Sequence, residues 1–294
     1  MRLEQIYKIA IKKGVQEDPR EKKKLKKIKQ PFADTRILYG DRKKDIRTAM
    51  VGIDIGGEEL LTAYILNEKG AGIDLAISHH PAGMGLANLH NVMHVQTDIL
   101  HRLGLNLDVV KALMKERIEE VSRSFMPRNT ERSVDIARLL NVPFMCIHTP
   151  ADNCVAHFLK ETVEKKKPGK VRDVLKLLKK IPEYRDAMTK GAGPRLIAGK
   201  EKNATGKIFV DMTGGTEGSK KIFARLSQAG VNTLIAMHLS EQHFKSAKAE
   251  FINVIIAGHI ASDNLGLNLI LDELEKKGEL NIIPCSGFVR VKRK

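Results

Sequence analysis

The sequence predicts an α/β protein with parallel or mixed sheets, flanking helices and a polar site where the strands end. Three observations predict it. From residue 48 onward, short β-branched runs alternate with longer helical stretches, as in βαβ units. Four of those runs lead directly into motifs rich in His and Asp. The length, 294 residues, suffices for one large α/β domain or two closely packed lobes.

Taken in order, residues 1–47 read as a basic N-terminal helical segment. It opens with MRLEQIYKIAIKKG, an amphipathic pattern without the apolar core of a signal peptide. Strands are expected at Ala49–Ile55, Leu75–Ser78 and Pro143–Ile147, which makes 48–163 a first α/β lobe. Between the second and third strands, residues 84–140 carry a helical insertion, interrupted near Met126-Pro127 where proline cannot continue a helix. Residues 164–206 read as a Lys-rich connector, with turns at KKKPGK, IPEY and GAGP around one helix. Residues 207–294 form the second α/β lobe, with strands at Lys207–Met212, Thr233–Met237 and Asn253–Ala257.

Composition excludes several classes. With 42% hydrophobic and 29% charged residues the chain is neither disordered nor collagen-like. No apolar run approaches the roughly 18 residues of a membrane span, so a cytoplasmic protein without membrane partners is expected. Three cysteines, Cys146, Cys154 and Cys285, lack CxxC spacing and read as reduced thiols. The net charge of +16 is concentrated: residues 1–48 hold 16 Lys/Arg against 7 Asp/Glu, and 160–202 hold 14 against 6. Two readings follow, solvated lysine-rich helix faces or a phosphate-binding surface. At 4% aromatic content, little is available for base stacking.

The strand-end motifs are SHHP (78–81), HTPAD (148–152), HLSEQH (238–243) and GHIASD (258–263). One such histidine would mean little; four strand ends repeating the pattern mark the edge where open α/β sheets bind ligands. Adjacent histidines leaving a strand point to opposite sides, so His79 and His80 can serve two neighbouring ions. His259 and Asp263 are four apart and share a helix face if a helix starts after Gly258. Asp152 follows His148 by four residues across a proline turn and adds a carboxylate able to bridge. Imidazole with carboxylate and no thiolate suits Zn, Fe, Mn, Co or Ni.

In their order and spread from residue 78 to 263, SHHP, HTPAD and GHIASD resemble the Nif-three-like family of dinuclear-metal proteins, some of them labelled GTP cyclohydrolase type-two homologs. The resemblance covers roughly Val51–Leu280. It implies two divalent metal ions held by His79, His80, Asp152, His259 and Asp263, a site that the second lobe completes, and often a ring-shaped homo-hexamer. The family usually has Glu where this chain has Asp263, which shortens the reach by one methylene. The insertion after SHHP is longer than in compact members, and residues 1–47 have no counterpart in the motif pattern.

Weaker signals surround these motifs. The turn Thr213–Ser219 could offer backbone N–H groups to an anion through Thr213, Gly214, Gly215 and Ser219, though it is no Walker loop. His90 heads a stripe with His94, Thr97 and His101 and is the candidate there for a substrate contact, the alternative being a polar flank of the insertion. His148 and Glu241 are candidates for proton transfer, with His238 and His243 as further outer partners. The leading functional expectation is a metal-dependent hydrolase acting on a phosphorylated or nucleotide-like small molecule. The alternatives are a metal-trafficking or storage protein serving a metal-accepting partner, a GTP cyclohydrolase-type ring-opening enzyme, and a nucleic-acid-binding adaptor.

Overall fold

A computed structural model of the chain describes residues 1–21, 25, 28 and 30–293. The lysines at 22–24, 26, 27 and 29, which contribute to the basic character of the N-terminal segment, lie outside the described residues. The architecture is α/β, with two sheets and flanking helices, and the chain divides into two compact units. No helix among the described residues is long and apolar enough to cross a membrane.

The first unit comprises residues 1–92, 120–154 and 263–294. Its sheet has the order β1 (Arg36–Tyr39), β4 (Phe144–Cys146), β3 (Leu75–Ser78), β2 (Thr48–Gly52), β9 (Asn281–Pro284). All neighbours are parallel except β1, which runs antiparallel to β4. The alternation of side chains along a strand divides the inner residues between two cores. Ala49, Val51, Leu75, Ile77 and Met145 face one layer, with Leu3, Ile6 and Ala10 of α1 (Leu3–Gln16) and Leu267, Ile270, Leu271 and Leu274 of the last helix. Met50, Ala76 and Phe144 face the other, with Leu60 and Ala63 of α2 (Gly57–Glu68) and Ala137 of α6 (Arg132–Leu139). Because both faces are covered, β2 and β3 are buried along their whole length. The apolar residues of α1 recur at helical spacing, and Gly14 lets it approach the main chain at Pro150, whose Cα would stand 2.6 Å from a Cβ there.

Between β3 and β4 the chain forms α3 (Gly83–Ala87), a 3₁₀ turn (Leu89–Met93), α4 (His94–Arg102), α5 (Leu107–Phe125) and α6. The helix α5 stops at Phe125, two residues before Pro127.

The second unit comprises residues 93–119 and 155–262. Its sheet has the order β5 (Arg195–Ala198), β8 (Asn253–Ile256), β7 (Val231–Ala236), β6 (Lys207–Asp211); β6, β7 and β8 are parallel and β5 is antiparallel. After β4 comes α7 (Thr149–Lys166), and the stretch to β5 holds α8 (Val171–Leu178) and α9 (Pro182–Thr189). The unit is completed by α10 (Phe223–Gln228) and α11 (Glu241–Ala249), and α12 (His259–Glu275) begins in it.

Candidate metal centre

The site of the first unit lies where the parallel strands end. β3 stops at Ser78, and the next two residues are the paired histidines. Their N–H groups donate in succession to Gly52 O (3.0 Å), in the last residue of β2, and Ile53 O (2.9 Å), in the residue after it. Consecutive donation to one neighbour means that strand alternation has already ceased, so the two rings do not diverge to opposite sides. Their centroids are 5.2 Å apart, and both face Asp263, which the second turn of α12 presents. β4 delivers His148 two residues past its end, and the first turn of α7 places Asp152 beside it.

Imidazoles and carboxylates alternate. His80 Nε2 lies 3.5 Å from Asp263 Oδ2, and Asp263 Oδ1 lies 3.4 Å from His79 Nε2. His79 Nε2 is also 3.4 Å from Asp152 Oδ1, and Asp152 Oδ2 is 3.9 Å from His148 Nε2. Each ring is fixed from behind through Nδ1: His79 by Ile147 O (3.1 Å), His80 by Asp54 Oδ1 (2.7 Å), His148 by Asp34 Oδ2 (2.7 Å). With an acceptor behind every Nδ1, the proton of each neutral ring sits there, and the Nε2 lone pairs face the two carboxylates. The interior is therefore lined by acceptors alone. His79 Nε2 and Asp152 Oδ1 are buried without a hydrogen-bond partner among the described residues, an arrangement that a cation would satisfy. Two overlapping groups, His79 with His148 and Asp152 and His79 with His80 and Asp263, hold their ligand atoms within 4.8 Å of one another and could bind a metal ion.

The pKa shifts report the same field. Burial pushes the Asp152 carboxyl up to about 6, against the pull of His148 and His79. Burial acts to lower His148, but the charge of Asp152 and the Asp34 hydrogen bond reverse it, and its pKa rises to about 9. His80 moves upward in the same way, as Asp263 and then Asp54 outweigh its burial. Without a metal, protons are the cations that this cage attracts.

Asp34 is fully buried and also accepts from Thr149 Oγ1 (2.6 Å) and Thr149 N (3.3 Å), tying the start of α7 to the residues before β1. Sequence reasoning missed both Asp34 and Asp54. Asp54 carries the same signal as the histidines, a polar residue following an apolar run. Asp34 precedes its strand, and because β1 is antiparallel to β4 its beginning arrives at the edge where β4 ends.

The other singled-out residues have different settings. His90 lies in the 3₁₀ turn of the first unit, half-buried, with a buried Nδ1 that has no hydrogen-bond partner among the described residues. In the second unit His259 opens α12, its ring 4.7 Å from that of His238. Glu241 is on the exposed face of α11, paired with Lys245 at 3.3 Å. Ser240 caps α11, and His243 bonds its hydroxyl (2.8 Å) and Gly218 O (3.0 Å), which fixes the HLSEQH segment locally. The turn holding Thr213, Gly214, Gly215 and Ser219 receives the Gln96 amide, which donates to Gly214 O (2.8 Å) and Thr216 O (2.6 Å). Gly214 and Gly218 have no room for a Cβ beside that side chain. Acid accompanies the turn: burial and the charge of Glu217 raise Asp211 to about 7.

Fold and cage together define an α/β protein with a buried His/Asp group able to hold metal. No protein-family model and no curated protein sequence matches the chain. Among solved structures it is similar to a NIF3 superfamily protein from Sphaerobacter thermophilus, with 25% identity and a TM-score of 0.79 over 96% of this chain and 97% of the other. It also shares its fold with reduced HcgD from Methanocaldococcus jannaschii (16% identity, TM-score 0.57, 97% of each chain). A third match, to a Staphylococcus aureus protein, has 12% identity and a TM-score of 0.50, covering 97% and 96%. The chain thus has the fold of the NIF3 superfamily structure from Sphaerobacter thermophilus.

Proposed function

We propose that this chain is a divalent-metal-dependent hydrolase acting on a phosphorylated or nucleotide-like small molecule. The observation that carries the metal reading is the all-acceptor interior in which His79 Nε2 meets carboxylate oxygens of Asp152 and Asp263 at 3.4 Å each. His79, His80, Asp152 and Asp263 hold the metal in this reading, with His259 as the further ligand that the family resemblance implies. One imidazole nitrogen serves one ion, so His79, common to both ligand groups, would ligate only one of two bound ions. A divalent ion supplies Lewis acidity toward a phosphoryl or carbonyl oxygen and acidifies water.

The chain's own residues do the rest. Asp54, Ile147 O and Asp34 hold the three rings in the tautomer that offers Nε2 to the interior. His148, which Asp34 holds with its Nε2 lone pair toward the interior beside Asp152, is placed to accept a proton there from an attacking water. His80 is the imidazole that solvent reaches, with its side chain 27% exposed, so a substrate enters past His80 and Asp54. The substrate class rests on the basic balance of the chain.

Turnover of phosphomonoesters, phosphodiesters and nucleotides by metal-loaded protein, compared with His80→Ala, tests the reading. Metal-dependent turnover lost in the variant supports it; no turnover, or turnover unchanged in the variant, refutes it. The solvent-reachable edge at His80 also favours a second reading, a metal-trafficking or storage protein that passes its ion to an accepting partner. That reading expects rapid loss of metal to a mild chelator and no turnover.

A further inference from the structure

The stretch from 165 to 180, KKKPGKVRDVLKLLKK, holds eight basic residues and one acidic residue. Its helix, α8, buries Val171, Val174, Leu175 and Leu178, which recur at helical spacing along one side. That face is committed to the interior, so Arg172, Lys176 and Lys179, at i, i+4 and i+7, form a row on the exposed side, with Lys180 next to its end. The segment is fixed in place. Val171 N donates to Asn203 O (3.0 Å), Arg172 N to Glu201 O (2.9 Å) and Thr205 Oγ1 to Pro168 O (2.7 Å). These bonds place the stretch containing exposed Lys200 and Lys202 against the start of the helix.

The side chains of these six cations form no ion pair or hydrogen bond among the described residues, whereas Lys160 and Lys190 on either side are paired with Glu164 and Asp186. The one acid of the stretch, Asp173, accepts from Lys170 N. Soluble surfaces usually intersperse both signs. Here six cations stand against two acids, Asp173 and the exposed Glu201, on a rigid element.

We infer that this face binds the phosphate backbone of a nucleic-acid duplex. A straight row about 10 Å long, from Arg172 to Lys179, matches a ligand that is itself a line of negative charges. The apolar face of α8 is already buried, leaving nothing to insert into a lipid surface. No aromatic residue lies between 165 and 180, so contact is with phosphates and without base stacking or sequence preference.

Fluorescence anisotropy of the full chain with a labelled 20-bp DNA duplex of mixed sequence tests this. If Arg172, Lys176, Lys179 and Lys180 each neutralise one phosphate, affinity falls about 100-fold between 50 and 200 mM salt. The triple variant K176E/K179E/K180E should weaken binding at least tenfold at 50 mM salt and flatten the salt dependence. Its metal binding should stay unchanged, which separates this inference from the proposed activity. Because charge reversal can disturb folding, the neutral pair K179Q/K180Q is measured beside it and should lower the salt slope by about half. No duplex binding at 50 mM salt, or equal binding by the folded variants, overturns the inference. Polyglutamate or phosphatidylserine vesicles binding as tightly as the duplex overturns it too, by assigning the surface to another partner.

Discussion

Replacing Asp152 with Asn should change stability in opposite directions with and without metal. In the metal-free protein the carboxylate is buried, and its pKa rises from 3.8 to about 6. The folded chain thus binds this proton more tightly than the unfolded chain, so the cost of ionisation is absent below pH 3.8, develops up to about pH 6 and stays constant above. At 1.36 kcal/mol per pH unit the cost approaches about 3 kcal/mol. Part of it is offset, because Asp152 also attracts His148, whose raised pKa contributes stability below 6.5 that is lost as pH passes about 9. The isosteric amide should therefore stabilise the metal-free protein at pH 8 by about 1–3 kcal/mol, which is several degrees in Tm for a chain of this size. With metal the sign reverses. An ion at 1,000 times its Kd stabilises the wild type by about 4.1 kcal/mol, more than the amide gains, and the variant loses most of it. Thermal unfolding in EDTA and in excess Mn²⁺ or Zn²⁺ measures both arms. A variant less stable in EDTA, yet shifted by metal as much as the wild type, would refute the reasoning and make Asp152 a structural hydrogen-bonding residue.

Other outcomes follow from the same geometry. Asp34→Asn removes the carboxylate behind His148 and should weaken metal binding about 10–100-fold in equilibrium dialysis; unchanged affinity would show that the ring needs no such support. Metal must displace protons from His148 and Asp152, so apparent affinity, read by calorimetry, should climb between about pH 6 and pH 9 and then level off. A flat profile contradicts that competition. Gln96→Ala empties the glycine-rich turn of two hydrogen bonds and should cost about 1–3 kcal/mol in urea unfolding while leaving metal content unchanged.

The inner strands were legible because burial on both faces demands continuous apolar runs, as in Ala49-Met50-Val51 and Leu75-Ala76-Ile77. The edge strands β1, β5 and β9 escaped notice. Each is four residues long and only partly buried, with little pattern to distinguish it from a loop. The same edges explain what was missed at the site. SHHP, HTPAD and GHIASD announce themselves where apolar runs stop, whereas Asp34 arrives through the reversed direction of β1, which no local pattern encodes. The shared orientation of His79 and His80 was equally hidden, since it depends on two successive bonds at the end of β2.

Cobalt titration tests the central claim most directly, because its visible absorption reports imidazole and carboxylate ligation without requiring turnover. Wild-type protein should develop absorption that saturates with bound Co²⁺, and His79→Ala, which removes the nitrogen common to both ligand groups, should abolish it. An unchanged spectrum and stoichiometry in His79→Ala would contradict the account.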